Sequence, residues 1–244
     1  MKLLDLFCGA GGAAMGYYEA GFTEIVGVDL APQPHYPFPF IQTDALQYIA
    51  EHGHEFDAIH ASPPCQLYSA MRRGRWKDRL HPDLIAPTRE LLIASGKPYV
   101  IENVEGARNK MISPIKLCGT IFGLKTRAGA QLRRHRYFEY SFSMIFTPPC
   151  SHLRGASVIG VYGGGQHPQR RRIPATIGVY GHSSGSSKQD YLDFSCFTVQ
   201  DRREAMGIDW MTGDELSQAI PPAYTRYVGK HLLGSISLTS PAQV

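Results

Sequence analysis

The first thirty residues constrain the fold most strongly. An apolar run at residues 2–7 predicts a strand, which ends in a glycine-rich turn at residues 8–12. The helix-favouring residues 13–20 follow, and Gly21 closes them. A second predicted strand covers residues 24–28. A strand, a glycine-rich turn and a helix in this order open a nucleotide-binding α/β unit, so we predict a Rossmann-like sheet.

The glycine-rich turn favours an adenosyl ligand over a dinucleotide. Ala14 breaks the G-x-G-x-x-G pattern of NAD sites, and the Lys-Ser/Thr pair of a P-loop is missing. Asp29, after the second strand, is placed to accept hydrogen bonds from ribose hydroxyls, and Asp44 follows another short apolar stretch. Either acid could instead cap a helix N-terminus. The pattern points to S-adenosylmethionine more than to NAD or ATP.

A cysteine follows the next predicted strand. Residues 56–61 predict a buried strand, two prolines end it, and Cys65 comes directly after them. A thiol on a rigid turn is well placed for nucleophilic attack, although a half-buried structural cysteine is the alternative. A further strand at residues 97–101 leads into Glu102. Because the carboxyl ends of parallel strands share one edge of a sheet, Cys65 and Glu102 should face one cleft.

The positive charge is concentrated in one part of the chain. The formal net charge is only +4, yet residues 127–188 contain nine Lys or Arg and a single acid, Glu139. The segment after Cys65 is also basic. A basic lobe on a mildly acidic body favours a nucleic-acid partner over a merely solvated face.

The amino-acid composition predicts an insertion in the α/β body. Residues 142–194 are rich in Gly, Ser, Pro and His, and Ile-Gly-Val-Tyr-Gly at 159–163 returns at 177–181. We predict a catalytic and cofactor-binding domain at 1–140 and a small β-rich lobe at 141–195. We assign residues 196–236 to C-terminal helices that return to the body and residues 237–244 to a tail. Disorder is expected to begin at about residue 235.

Cysteine and histidine spacing predicts no metal site. Cys150, His152, His167 and His182 could be assembled around zinc, but their spacing matches no regular pattern. The five cysteines are odd in number and include no CxxC pair, which favours free thiols. No apolar run is long enough to cross a bilayer and the N-terminus does not read as a signal peptide, so we expect a cytoplasmic protein.

Four motifs in the same order resemble those of the C5-cytosine methyltransferase family. They are Asp5-Leu6-Phe7-Cys8-Gly9-Ala10-Gly11-Gly12, Pro63-Pro64-Cys65-Gln66, Glu102-Asn103-Val104 and Arg134-His135-Arg136. Each alone is a weak match, but the ordered set is specific and spans the chain. The resemblance implies a Rossmann-like S-adenosylmethionine-dependent enzyme with a small target-recognition lobe, acting on double-stranded DNA.

The resemblance also implies roles for single residues. Cys65 would attack carbon 6 of a flipped cytosine, Glu102 would donate to N3, and Arg134 and Arg136 would hold O2 and keep the thiolate. The implied cofactor contacts are Phe7, Gly9, Gly11, Gly12, Asp29, Leu30, Asp44, Ala45, Pro64 and Gln218. The implied DNA contacts are Arg72, Arg73 and Arg75 after the nucleophile, and Arg170, Arg171 and Arg172 in the lobe.

The sequence departs from the family in two places and leaves two alternatives open. Leu132 stands where the family usually has Gln, and Gln218 where it has a cofactor-contacting Asn. Cys196-Phe197-Thr198 resembles a tripeptide of tRNA cytosine methyltransferases with the same fold. The other alternative is a catalytically silent nucleic-acid-binding relative. The compact size suggests a monomer.

Overall fold

The computed structural model describes residues 1–64, 82–143, 147–161 and 197–239. Its centre is a seven-stranded sheet in the order β3-β2-β1-β4-β5-β8-β6. The first five strands in this order, β3, β2, β1, β4 and β5, run parallel to one another. Strand β8 is antiparallel to both of its neighbours, β5 and β6. The strands are β1 (Lys2–Leu6), β2 (Glu24–Asp29), β3 (Phe40–Gln42), β4 (Ala58–Ala61), β5 (Tyr99–Asn103), β6 (Ile115–Leu117) and β8 (Arg136–Tyr140). This mostly parallel sheet confirms the predicted Rossmann-like α/β fold.

Helices cover both faces of the sheet, which explains why the residues of its central strands are buried. All four residues of β4 are buried, as are all five of β5. The α-helices are α1 (Gly12–Ala20), α2 (Ala45–His52), α3 (Ile85–Ala94), α4 (Val199–Met206), α5 (Gly213–Gln218) and α6 (Pro222–Thr239). Short 3-10 helices occupy Gly53–Glu55, Glu105–Lys110 and Gly119–Phe122.

The last helix packs closely against the first. A Cβ atom on Gly16 of α1 would lie 2.1 Å from the carbonyl oxygen of Pro222, and one on Gly229 of α6 would lie 2.8 Å from Ala20. The Thr225 hydroxyl donates to the Ala13 carbonyl at 2.9 Å. Small residues therefore let the two helix backbones approach, and the end of the chain completes the N-terminal half of the body.

One local prediction differs from the structure. The tail was expected to begin near residue 235, but α6 continues to Thr239. Inside this last part, the Ser235 and Ser237 hydroxyls donate to backbone carbonyls one turn earlier, at 2.7 and 3.0 Å, so these serines are accommodated within the helix. Pro87 lies in the first turn of α3, where its missing N–H costs no intrahelical bond.

Only the base of the predicted lobe lies in the described part of the chain. Two short strands, β7 (Gln131–Leu132) and β9 (Val158–Ile159), pair in parallel beside the main sheet. Cys65, Arg72, Arg73 and Arg75 lie outside the described residues, as do Arg170, Arg171, Arg172, His167, His182 and the second copy of the repeat. Within the described ranges, no helix is long and apolar enough to cross a membrane.

Candidate active site

The turn after β1 lies at the carboxyl edge of the sheet. Its backbone is unusual, since Phe7, Gly9 and Gly11 have φ values of 56°, 48° and 83°. A side chain at Gly9 would meet no described atom within 4 Å. At Gly11 it would come within 2.6 Å of Pro37. Gly9 therefore leaves open space beside the turn, whereas Gly11 is needed for close packing at its back.

Asp29 fixes this turn to the end of β2. Its Oδ2 accepts a hydrogen bond from the Gly9 backbone N–H at 3.0 Å, and its Oδ1 accepts one from the N–H of Ala31, also at 3.0 Å. The next side chain, Leu30, is 72% exposed although it is large and apolar. An open glycine face, a carboxylate and an exposed aliphatic surface together suit the polar and apolar parts of an adenosyl ligand, so these residues fit S-adenosylmethionine.

Three further residues predicted to contact the cofactor have structural roles of their own. Asp44 caps α2, because its Oδ1 accepts hydrogen bonds from the backbone N–H groups of the second and third helical residues at 2.8 and 2.9 Å. Ala45 is buried in the first turn of that helix. Gly12 packs against the C-terminal segment, since an added Cβ would lie 2.4 Å from the Ile220 carbonyl oxygen. Their cofactor roles stay predictions.

Pro64 and Gln218 complete the set predicted to contact the cofactor. Pro64 is half-buried at the end of the turn after β4, and Gln218 is the exposed last residue of α5. The turn before Cys65 is held to β5, because Asn103 Nδ2 donates to the Pro63 carbonyl at 2.9 Å. Cys65, the predicted nucleophile, lies outside the described residues and directly follows this anchored turn in the chain.

Glu102 and Arg136 form a buried ion pair at the same edge. Arg136 Nε lies 3.0 Å from Glu102 Oε1, and the Glu102 side chain is 7% exposed. The approach does not have hydrogen-bond geometry, and Oε1 receives no hydrogen bond from any residue in the described ranges. A buried carboxyl oxygen with unused hydrogen-bonding capacity is suited to a ligand that reaches the cleft.

Burial changes the protonation of Glu102. Desolvation raises the pKa of the Glu102 carboxyl above its usual value. Three interactions oppose this effect: the charge of Arg136, a hydrogen bond from the Ser62 hydroxyl and the charge of Arg134. Because desolvation is the largest of these contributions, the protonated carboxyl is more accessible here than on a protein surface. A protonated carboxyl can donate a hydrogen bond or a proton.

A buried chain of polar groups stands behind Glu102 and was missed in the sequence. The Tyr17 hydroxyl lies 3.0 Å from His60 Nδ1, and His60 Nε2 lies 2.9 Å from Ser62 Oγ. Burial lowers the pKa of His60 to about 3, so its ring is neutral. The Ser62 hydroxyl in turn forms a hydrogen bond with the Glu102 carboxyl. The available signal was a histidine within an otherwise apolar four-residue strand.

Arg134 does not face Glu102 in the same way as Arg136. The resemblance implies a shared role for the two arginines, but β8 begins at Arg136 and Arg134 precedes it. Arg134 is 1% exposed, and its guanidinium donates to the carbonyls of Val161, Ser217 and Ala219, the last two at 2.8 and 2.9 Å. It therefore joins the body to the base of the lobe and to the segment between α5 and α6.

Known proteins resemble this chain in both sequence and structure. A family model described as C-5 cytosine-specific DNA methylase matches residues 1–113. The fold is similar to that of a presumed DNA modification methyltransferase encoded within an E. coli prophage, with a TM-score of 0.56 and 16% identity. This structural match covers 97% of this chain and 99% of the other.

Curated relatives match less than half of this chain. The Type II methyltransferase M.HgiDI of Herpetosiphon aurantiacus is 32% identical over 120 residues, 44% of this chain, but the match spans only 38% of that relative. Type II methyltransferase M.HgiGI, from the same organism, is 31% identical over 124 residues, and the match covers 44% of this chain and 94% of the relative. On these matches, the chain belongs to the C-5 cytosine-specific DNA methylase family.

Proposed function

We propose that this chain transfers a methyl group from S-adenosylmethionine to carbon 5 of cytosine in double-stranded DNA. The observation that carries the proposal is the buried Glu102 carboxyl, paired with Arg136 at 3.0 Å. It lies on the strand next to the anchored turn that leads to Cys65. A nucleophile and a protonated acid at neighbouring strand ends are the groups that this reaction needs.

Cys65 activates a carbon atom that is otherwise a poor nucleophile. Its thiolate adds to carbon 6 of the cytosine, and the electron pair of the 5,6 double bond moves so that carbon 5 becomes enamine-like. The bound cofactor supplies an electrophilic methyl group. After carbon 5 has gained the methyl, a base removes its proton, the double bond forms again, and the thiolate leaves carbon 6.

Glu102 and Arg136 act on the pyrimidine ring during the addition. The protonated Glu102 carboxyl donates to N3, which takes up the charge that the thiolate pushes into the ring. Protonation of Glu102 weakens its pairing with Arg136, and the guanidinium then has N–H groups for the cytosine O2 atom. Ser62, backed by neutral His60, holds the carboxyl in place through its hydroxyl.

Two groups of arginines would bind the DNA around a flipped cytosine. Carbon 5 and carbon 6 cannot be reached inside a stacked duplex, so the cytosine must be flipped into the cleft. The basic residues Arg72, Arg73 and Arg75 follow the nucleophile in the chain and would contact phosphates. Arg170, Arg171 and Arg172 of the predicted lobe would contact base edges.

Trapping on fluorinated DNA tests the proposal directly. Duplex DNA with 5-fluorocytosine in place of cytosine is incubated with protein and S-adenosylmethionine, and the products are separated by denaturing electrophoresis. Fluorine cannot leave carbon 5 as a proton does, so the Cys65 adduct should persist. Cys65→Ser should abolish it and keep cofactor affinity within a few-fold, while Cys196→Ser serves as the matched thiol control and should retain it.

The acid is tested by a second pair of variants. Glu102→Gln removes the transferable proton but not the side-chain volume, so turnover should fall by roughly 10²-fold or more while DNA binding is retained. Glu51→Gln, an exposed carboxylate on α2, is the control and should leave turnover unchanged. Wild-type turnover in Glu102→Gln would remove Glu102 from the reaction.

The same assay separates the competing functions. An adduct on fluorinated tRNA and none on DNA would favour the RNA enzyme, for which the tripeptide at 196–198 is the sequence feature. In the structure, Thr198 caps α4 in a capping box with Asp201, which accounts for one of those residues without RNA. No adduct on either substrate, with the cofactor still bound, would favour a silent binding protein.

A further inference from the structure

Four potential metal ligands converge beside the pair of arginines. Cys118 directly follows β6, His135 lies between Arg134 and Arg136, and Cys150 and His152 lie in the segment that leads to β9. One ligand atom from each of the four side chains lies within 4.8 Å of the other three. The sequence analysis considered Cys150 and His152 as metal ligands, but together with His167 and His182. Cys118 and His135 come from other parts of the chain.

Two sulfur–nitrogen distances within this Cys118–His135–Cys150–His152 cluster match the edges of a metal tetrahedron. Cys118 Sγ lies 3.3 Å from His152 Nε2, and Cys150 Sγ lies 3.6 Å from His135 Nε2. With zinc–sulfur bonds of about 2.3 Å and zinc–nitrogen bonds of about 2.0–2.1 Å, a tetrahedral site has sulfur–nitrogen edges of about 3.5 Å. These two edges therefore fit a zinc site, and the remaining ligand atoms lie within 4.8 Å of one another.

The surroundings hold the ligands in this arrangement. Cys118 is fully buried, and the Thr120 hydroxyl donates to its sulfur at 3.3 Å. The backbone N–H of Ser151, between the other cysteine and histidine, donates to the same Thr120 oxygen at 3.2 Å. The rings of His135 and His152 stack with centroids 5.4 Å apart. One hydroxyl thus connects the two halves of the cluster, as outer-shell groups do at metal sites.

The donor set selects the metal. Two thiolates and two imidazoles suit zinc, whereas Ca²⁺ and Mg²⁺ take oxygen ligands and the cluster contains no carboxylate. Two thiolates also cancel the charge of Zn²⁺, so the complex needs no further counter-ion. Four protein ligands leave no open position, which is typical of a structural site rather than a catalytic one.

We propose that Cys118, His135, Cys150 and His152 bind a structural zinc ion. The metal ties β6, the arginine-bearing segment and the base of the predicted lobe together at one point. Because His135 is bonded through the chain to both arginines, the ion fixes the segment from which Arg136 reaches Glu102. This inference goes beyond the proposed methyl transfer and does not depend on it.

Metal analysis of the full-length chain tests the proposal without any assay of activity. The protein is produced without a histidine tag in zinc-supplemented medium, freed of loose metal by gel filtration, and measured by plasma mass spectrometry. We expect one zinc ion per chain. Cys118→Ser and Cys150→Ser should each lose the metal, whereas Cys8→Ser, at a buried cysteine outside the cluster, and His54→Gln, at an exposed histidine, should keep it.

A second measurement covers variants that fail to fold. Wild-type protein is stripped with a chelator under reducing conditions, and its Tm should fall and recover when zinc is added back. Cobalt in place of zinc should give the visible spectrum of a tetrahedral site with thiolate-to-cobalt charge transfer. Wild-type protein without zinc that also takes up no cobalt would overturn the proposal, and so would a Cys118–Cys150 disulfide found by thiol titration of freshly purified protein.

Discussion

Arg134 provides the sharpest test of a role that the sequence and the structure describe differently. The family resemblance gives it a part in catalysis beside Arg136, whereas the structure shows its guanidinium donating to three backbone carbonyls. Arg134→Lys keeps the positive charge but replaces a planar fork by a single ammonium group, which cannot reach all three acceptors in the same geometry.

The expected loss of stability follows from the backbone carbonyls that lose their hydrogen bonds from Arg134. A buried carbonyl without a partner costs about 1–3 kcal/mol, and breaking a buried charged contact typically costs about 3–5 kcal/mol in total. We therefore expect Arg134→Lys to lower the free energy of unfolding by about 3–5 kcal/mol. For a chain of this size each kcal/mol shifts Tm by about 2–4 °C, so the decrease should be roughly 10 °C.

Thermal unfolding of the protein without DNA or cofactor checks this magnitude. Arg133→Lys is the matched control, because Arg133 is half-buried and donates to the Leu153 carbonyl and to Gln131 near the surface. It should shift Tm by only a few degrees. An Arg134→Lys variant with the wild-type Tm and greatly reduced turnover would refute the structural reasoning and restore the catalytic role.

Two glycines and one histidine give the remaining predictions. Gly12→Ala should destabilise the protein by about 1–3 kcal/mol in thermal unfolding, because its Cβ would lie 2.4 Å from the Ile220 carbonyl. Gly9→Ala, at φ 48° beside open space, should chiefly weaken S-adenosylmethionine binding in calorimetric titration; the reverse pattern would exchange the two roles. Burial lowers the pKa of His60 to about 3 in the folded protein. As the pH falls below about 6.5, His60 therefore binds a proton in the unfolded chain but not in the folded protein. Acidification from pH 6.5 to 5 should therefore cost wild type about 1.6 kcal/mol more than His60→Gln, and equal slopes in denaturant titrations would contradict this.

Local patterns in the sequence predicted the body of the fold because each element is encoded by neighbouring residues. The apolar run before Gly9 and the acid at the end of β2 were enough to predict the glycine-rich turn, and the end of each strand indicated which residues lie at the carboxyl edge of the sheet. Glu102 could be assigned to the same edge as the turn before Cys65 for this reason alone. The capping role of Asp44 was also foreseen as an alternative.

Contacts between distant segments could not be predicted in this way. Arg134 donates to carbonyls 27, 83 and 85 residues away, and backbone carbonyls leave no pattern in a sequence. The Cys118–His135–Cys150–His152 cluster also joins three segments without a regular spacing, so only two of its members could be suspected.

The sequence by itself determined the order of strands and helices, the glycine-rich turn and the chemical types of the groups at the strand ends. These depend on hydrophobic periodicity and on residue types within a few positions of each other. Only the tertiary structure decided that Arg136 pairs with Glu102 while Arg134 supports the backbone, and that four cysteine and histidine side chains meet. Such choices depend on directions and distances in space, which the folded chain fixes between residues that are far apart in sequence.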